Sequence, residues 1–253
     1  MALRELLAAT GERSDSPSRR RVLELAGASV TAGLAGCTDG FLGGGTDGSC
    51  TDAAIAVETP DGATRCVGPV ESEGSVADYY GYDTGNSYSS AFPDAFETGD
   101  ATVTFVHRNR ETGERSLVVV HDEPTDSTTG AAPMAFDGVA GAEWLVRDDP
   151  EDVNPPDSYE TDDGTLADSE SVVWQWGSNP RTDGGAFGPL GTGFDVDVTH
   201  RQSGTVDDVS AERTGLDRWL FVDGNDLENP IELASFGDDV GDVSVRVSAA
   251  DGG

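Results

Sequence analysis

Residues 101–121 read ATVTFVHRNRETGERSLVVVH and predict a β-hairpin. Both arms are rich in β-branched residues and alternate with period two, which is typical of strands. If Thr112 and Gly113 form the tip of the hairpin, Arg110 lies opposite Arg115. The rest of the chain extends this pattern on both sides.

The predicted register of this hairpin places its two histidines on different faces of the sheet. It pairs Thr104 with His121, so that His121 and His107 point to opposite faces of the sheet and cannot bind one metal ion together. His200 ends a separate predicted strand, and no H-E-x-x-H motif is present. The sequence therefore gives no support for a zinc site.

Short runs of β-branched and aromatic residues recur between clusters of Gly, Pro, Asp and Ser, and they predict ten strands. The candidate strands are 53–58, 65–71, 101–108, 115–121, 142–147, 171–176, 193–200, 218–223, 230–234 and 242–248. This number of short strands predicts an all-β fold, with one antiparallel β-sandwich or jelly-roll-like domain over residues 50–253.

The composition is strongly acidic. The chain has 48 acidic residues against 15 basic ones, a net charge of −33, and every basic residue is Arg. Such self-repulsion is screened in molar salt, where the Debye length falls to about 3 Å. The composition resembles that of proteins from extremely halophilic archaea. A hydrophobic content of 36 % argues for a packed core rather than an acidic disordered chain, and the charge makes nucleic acid a poor partner.

Residues 18–37 read SRRRVLELAGASVTAGLAGC. Arg19 and Arg20 precede an apolar run, and small residues lead from Leu34 to Cys37. This layout resembles a twin-arginine export signal of the lipoprotein kind, which ends in a lipobox. The resemblance implies recognition by the twin-arginine export machinery, removal of residues 1–36, and attachment of a membrane lipid to Cys37. The protein would then be anchored at the extracellular face of the cell membrane.

The alternative for this stretch is a membrane-spanning or buried helix. The apolar run 22–36 contains Glu24 and consists largely of Ala and Gly, whereas a spanning helix needs about 20 strongly apolar residues. Residues 37–49 follow as a Gly- and Asp-rich segment, which we interpret as a flexible tether between the lipid and the domain.

Two cysteines remain once Cys37 is assigned to the lipid. Cys50 and Cys66 form a possible pair, and the predicted location outside the cell is an oxidising environment. A disulfide between them is therefore expected. The alternative is two free or buried thiols.

The loop at residues 223–228 offers oxygen ligands of the kind that calcium prefers. Its candidate ligands are Asp223, Asn225, Asp226 and Glu228. The spacing does not match an EF-hand loop, and a plain hairpin turn is the alternative, because Asp and Asn favour turn conformations. Apart from a possible calcium ion, the sequence predicts no cofactor.

A second candidate site begins with two tryptophans. Trp174 and Trp176 precede a polar, Gly-rich segment with Arg181 and Asp183, and together they could present a ligand-binding surface. The alternative is a core stripe, since the two indoles lie on one face of a predicted strand.

Motifs for catalysis are not found. The sequence has no G-x-S-x-G, no P-loop and no cysteine left for a thiol nucleophile. We therefore expect a cell-surface-anchored binding or structural lipoprotein of a halophilic archaeon, with a ligand that the sequence does not specify. The alternative is a lipid-anchored hydrolase that cleaves polysaccharide or peptide with paired carboxylates, which cannot be singled out among so many acids.

Overall fold

The computed structural model describes residues 50, 54–81, 99–121, 129–147, 157–161, 164–176, 183–237 and 240–250. The predicted export signal and tether, with Arg19, Arg20 and Cys37, lie outside these ranges, as does Arg181. No helix among the described residues is long and apolar enough to cross a membrane.

The described residues contain sixteen strands and a single short helix. The strands are β1 (Ile55–Glu58), β2 (Thr64–Val67), β3 (Val70–Ser72), β4 (Ala101–Asn109), β5 (Arg115–His121), β6 (Gly130–Asp137), β7 (Glu143–Arg147), β8 (Ser158–Tyr159), β9 (Ser169–Trp176), β10 (Asp183–Leu190), β11 (Asp195–His200), β12 (Ser203–Val206), β13 (Val209–Glu212), β14 (Arg218–Asp223), β15 (Asp226–Ser235) and β16 (Val243–Ala249). The helix, α1, is Val76–Tyr80, and Ser75 caps it by accepting a hydrogen bond from the Asp78 backbone N–H.

Most of these strands form two main sheets that pack face to face, which confirms the predicted β-sandwich. The first sheet has the order β2-β1-β16-β11-β6-β9-β8, and the second has the order β15-β14-β4-β5-β10-β7. Pairing is largely antiparallel, but β14 and β3 both run parallel to β4. They pair with successive parts of β4, since β14 covers its start and β3 covers its end.

Two hydrophobic cores explain the continuous apolar runs of β4 and β5. The core between the sheets contains Trp174, Trp219 and Phe136, all fully buried. A second core lies on the other face of the β4–β5 sheet and includes Phe105 together with residues of α1. Because both faces of the β4–β5 sheet are covered, these strands lose the polar alternation of a half-exposed sheet.

The β4–β5 hairpin differs from prediction in its register. Arg108, rather than Arg110, lies opposite Arg115, and Thr102 lies opposite His121. A two-residue tip was wrong because the Asn109 side chain accepts hydrogen bonds from two backbone N–H groups of the loop and widens the turn. The shift is two residues, so the predicted placement of His107 and His121 on opposite faces is unaffected.

Two central strands escaped prediction because their composition is typical of loops. Strand β6 carries Gly130 and Pro133, and β10 carries Gly184, Gly185 and a cis proline bond. The glycines have a packing reason. A Cβ at Gly184 would lie 2.2 Å from a backbone oxygen of β5, and a Cβ on Gly130 would lie 2.1 Å from the Trp176 ring.

The predicted disulfide is present. Cys50 and Cys66 are bridged across a separation of 16 residues, with their Cα atoms 5.4 Å apart. Because Cys66 belongs to β2, the bridge fastens the start of the described domain to the edge of the first sheet.

Candidate functional site

A polar cleft of about 470 Å³ opens where β3 and β4 end. Its lining includes Glu71, Tyr79, Arg108, Arg110, Asn225 and Leu227. A neighbouring cleft of about 330 Å³ shares Ala54 and Arg108 with it and adds Arg115. The second cleft also takes Ala249 from the other sheet, so the two clefts lie at the open end of the sandwich.

Strand register places three charged side chains in a line across this end. Glu71 on β3 pairs with Arg108 on β4, and Arg108 pairs with Arg115 on β5. All three lie on the face of the sheet that, two residues further inward, contributes Val106 and Leu117 to the core between the sheets. We refer to Arg108, Arg115 and the adjacent loop residue Arg110 as the arginine row.

Ion pairing in the arginine row depends on one acid. The Glu71 carboxylate lies 3.1 Å from Arg108 Nη1 and 3.4 Å from Arg110 Nε. The side chains of Arg108 and Arg110 keep 39 % and 56 % exposure, and both residues line the cleft. Arg108 Nε is buried and has no hydrogen-bond partner among the residues that the structure describes.

Arg115 is held in a different way. Its guanidinium lies 6.0 Å from the ring centre of Phe194, at the outer limit of a cation–π contact. In the part of the chain that the structure describes, no carboxylate is within ion-pairing distance of Arg115.

Tyr79 closes the cleft from the side of α1. Its ring stacks on His107 with the ring centres 5.2 Å apart. Burial raises the pKa of Tyr79 to about 12, so the phenol stays protonated at neutral pH.

The same histidine also contacts a serine. Ser72 Oγ is 2.8 Å from His107 Nε2, a separation suited to a nucleophile and its base. Burial lowers the pKa of His107 to about 4, which makes it a weak base at neutral pH. Among the described residues no carboxylate hydrogen-bonds to the imidazole, so the pair lacks the third member of a triad.

His121 and His200, which the sequence places on separate strands, come together in the core. Thr102 Oγ1 is 3.0 Å from His121 Nδ1 and 3.0 Å from His200 Nε2. Burial lowers the pKa of His121 to about 3 and holds the pKa of His200 well below its usual value. Over the described ranges, no three His, Cys, Asp or Glu side chains form a group that could hold a metal ion.

The proposed calcium loop forms a tight hairpin turn between β14 and β15. Asp223 Oδ1 accepts hydrogen bonds from the backbone N–H groups of Gly68 and Asn225, at 2.8 and 2.9 Å. The Asp226 carboxylate accepts from the Asn229 amide at 2.9 Å, and Glu228 is exposed. These contacts match the hairpin-turn alternative, and calcium binding stays a prediction.

Trp174 and Trp176 lie in the core rather than at a binding surface. Their exposures are 0 % and 4 %, and Trp174 Nε1 donates a hydrogen bond to Tyr159 Oη at 3.0 Å. Asp183 is also buried, at the start of β10. The core-stripe alternative therefore describes both indoles, whereas Arg181 lies outside the described residues.

Comparison with known protein families, curated proteins and solved structures finds no match to this chain. The clefts and the arginine row therefore have to be interpreted from their own chemistry. Sequence reasoning passed over these arginines, although three of the chain's 15 arginines fall within residues 108–115. That local enrichment was the available signal.

Proposed function

We propose that the chain is an exported, lipid-anchored binding protein at the extracellular surface of a halophilic archaeon. The motif of residues 18–37 supports the location, and the charge of −33 supports a saline environment. The observation that carries the binding role is the open polar cleft at the end of the sandwich, where arginine donors outnumber the acids that could satisfy them. The second candidate function is a structural protein at the same location, the cell surface. In that role the cleft would bind no ligand.

The disulfide supports an extracellular location. Disulfides persist in oxidising environments and are rare in reducing ones. Cys50 follows the proposed lipid site Cys37 by 13 residues, so the bridge to Cys66 would fasten the domain close to the point where the tether joins it. A clamp at this place protects the edge of the first sheet from fraying.

Fractionation of cells tests the proposed location. The native chain is expected in the membrane fraction with lipid mass on Cys37, and the Cys37→Ala chain in the medium. Replacing Arg19 and Arg20 with Lys is expected to keep the chain inside the cell with its leader attached. A Cys37→Ala chain that remained in the membrane with the same lipid mass would contradict the lipobox interpretation.

A separate assay distinguishes binding from catalysis. The purified protein is incubated with polysaccharide and peptide mixtures in molar salt, and both retention and cleavage are measured. Retention without new chain ends is expected. Turnover that survives further purification would favour the hydrolase alternative.

A further inference from the structure

The residues that line the two clefts carry a net charge opposite to that of the chain. Residues 1–36 contain five arginines and four acidic residues, which leaves ten arginines against 44 acidic residues in 37–253. The described lining of the two clefts contains three arginines and one acid, Glu71. On a surface where acids outnumber arginines about fourfold, this excess of positive charge makes a local site for an anion.

The arrangement of the arginines carries an electrostatic cost. Arg108 and Arg115 are direct cross-strand partners, and like charges in that position destabilise a sheet. Glu71 offsets part of the cost, but its two oxygens are divided between Arg108 and Arg110. An anion at Arg108, which lines both clefts, would relieve the repulsion that remains, since Arg115 in the second cleft has no ion pair among the described residues.

We propose that the arginine row binds the carboxylate of an acidic sugar, an inference that rests on the proposed binding function. Guanidinium groups form planar pairs of N–H donors that match the two oxygens of a carboxylate. A polyphosphate such as nucleic acid is disfavoured, because its dense charge would meet the strongly acidic remainder of the surface.

The rest of the cleft suits the uncharged body of such a ligand. Asn225 supplies an amide that lies close to Gly68 at the edge of the cleft. Tyr79 and Leu227 supply half-buried apolar surface beside the arginines. The cleft volume of about 470 Å³ lies within the usual range of small-ligand sites.

Molar salt does not remove this kind of recognition. Screening suppresses interactions beyond about 3 Å at that ionic strength, whereas paired hydrogen bonds act at contact distance. Chloride competes for the same donors, so affinity is expected to fall as chloride replaces a larger, poorly coordinating anion at constant ionic strength.

Calorimetric titration of the full-length protein with glucuronate in molar salt tests the proposal, with glucose as the uncharged analogue. Glucuronate is expected to bind and glucose is not. Arg115→Gln and Arg110→Gln are each expected to weaken glucuronate binding about tenfold, the usual effect of losing a charge-assisted hydrogen bond. Arg246→Gln is the matched control, because the exposed Arg246 side chain pairs with Asp195 and neither residue lines a cleft. The affinity of this variant for glucuronate is expected to be unchanged.

Polygalacturonate, compared with free galacturonate, distinguishes a free sugar from a unit of a polysaccharide. A site for a polysaccharide unit should bind the polymer more tightly than the monomer, and a site for the free sugar should not. Thermal melting of each variant checks that it is folded. Equal binding of glucuronate and glucose, no binding of glucuronate by the folded native chain, or unchanged affinity in both cleft variants would overturn the inference. Binding of glucose but not glucuronate would contradict the acidic-sugar site and still agree with the proposed binding function. Failure of lipidation in the fractionation experiment would contradict the proposed location and would not affect the sugar site.

Discussion

His121 and His200 share the hydroxyl of Thr102, with their ring centres 6.2 Å apart in the core. One hydroxyl has one proton, so it donates to one imidazole and accepts from the other. His121 Nε2 and His200 Nδ1 are buried, and neither has a hydrogen-bond partner within the described ranges. Both rings are therefore held neutral among aromatic side chains, and protonation of either would place an uncompensated charge in the core.

Acidification is expected to destabilise the domain through these histidines. His121 has a pKa of about 3 in the folded state and about 6.5 when unfolded. Between these values the unfolded state binds more protons, so stability is complete above pH 6.5 and is lost as the pH falls towards 3. Each histidine contributes a slope of about 1.4 kcal/mol per pH unit.

Melting temperatures at pH 7 and pH 5 in molar salt check this sign, because most carboxylates stay ionised in that window. The melting temperature is expected to fall at pH 5, and to fall less for His121→Gln. Equal melting temperatures of the native chain at pH 7 and pH 5 would contradict the predicted destabilisation by acid.

Loss of the shared hydroxyl has its own expected effect. Thr102→Val keeps the shape of the side chain but leaves a further nitrogen on each imidazole unpaired, at a cost of about 1–3 kcal/mol of unfolding free energy. Thr205→Val is the control, since that hydroxyl bonds Ser210 at an exposed position and its loss should cost less than about 0.5 kcal/mol. Chemical denaturation measures both, and equal costs would remove the special role of Thr102.

Sequence patterns predicted the strands correctly where burial and β-propensity agree. They missed strands where packing against a neighbour requires residues of low β-propensity. Strands β5 and β14 match their predicted limits, because their β-branched and aromatic residues are the ones that fill the cores. Strand β10 could not be recognised, since its glycines are required by a neighbour: a Cβ at Gly185 would lie 3.0 Å from the Val146 carbonyl oxygen. From sequence alone, glycine in such a segment predicts a loop, because the packing that requires it depends on the opposing strand.

Candidate sites were harder to predict for a related reason. A tryptophan pair on one strand face fits either a core or a binding surface, and only the second sheet decides that Trp174 is buried. The contact between Arg108 and Glu71 joins strands 37 residues apart, and the pairing of Arg108 with Arg115 depends on a loop held by the Asn109 side chain. The contact between Arg108 and Glu71 is long-range and is not encoded in local spacing, whereas the pairing of Arg108 with Arg115 is local but depends on a turn type that the sequence pattern did not specify.

The disulfide is expected to stabilise the domain by restricting the unfolded chain. A loop of this size, with Cys50 and Cys66 separated by 16 positions in the sequence, contributes about 3 kcal/mol. Reductant should lower the melting temperature of the native protein to that of the Cys50→Ser, Cys66→Ser double variant, and should leave the variant itself unaffected. No response of the native protein to full reduction, verified by thiol counting, would show that the bridge does not contribute.

Stability is also expected to depend on salt. With a net charge of −33, lowering sodium chloride from molar concentration to about 0.1 M lengthens the Debye length from about 3 to about 10 Å and restores repulsion between carboxylates. The melting temperature should fall. Adding sucrose at low salt is the control, since it favours compact states without screening charge. Equal melting temperatures at both salt concentrations would contradict the interpretation of the acidic composition as an adaptation to high salt.

The turn between β14 and β15 allows the calcium hypothesis to be tested against hydrogen bonding alone. Asp223 Oδ1 accepts two backbone N–H groups, whereas Asp226 bonds one exposed side-chain amide. Without calcium, Asp223→Ala should therefore cost about 1–3 kcal/mol of stability and Asp226→Ala less than about 1 kcal/mol.

Melting of the native chain and both variants in molar sodium chloride, first with chelator and then with excess calcium, separates the two accounts. A calcium ion at residues 223–228 would draw oxygens from both carboxylates, so it should raise the melting temperature of the native chain and raise that of Asp226→Ala by less. If calcium leaves the native melting temperature unchanged while Asp223→Ala remains the more damaging variant, the carboxylate of Asp223 acts as a hydrogen-bond acceptor that pins the turn to Gly68, and the calcium hypothesis is wrong.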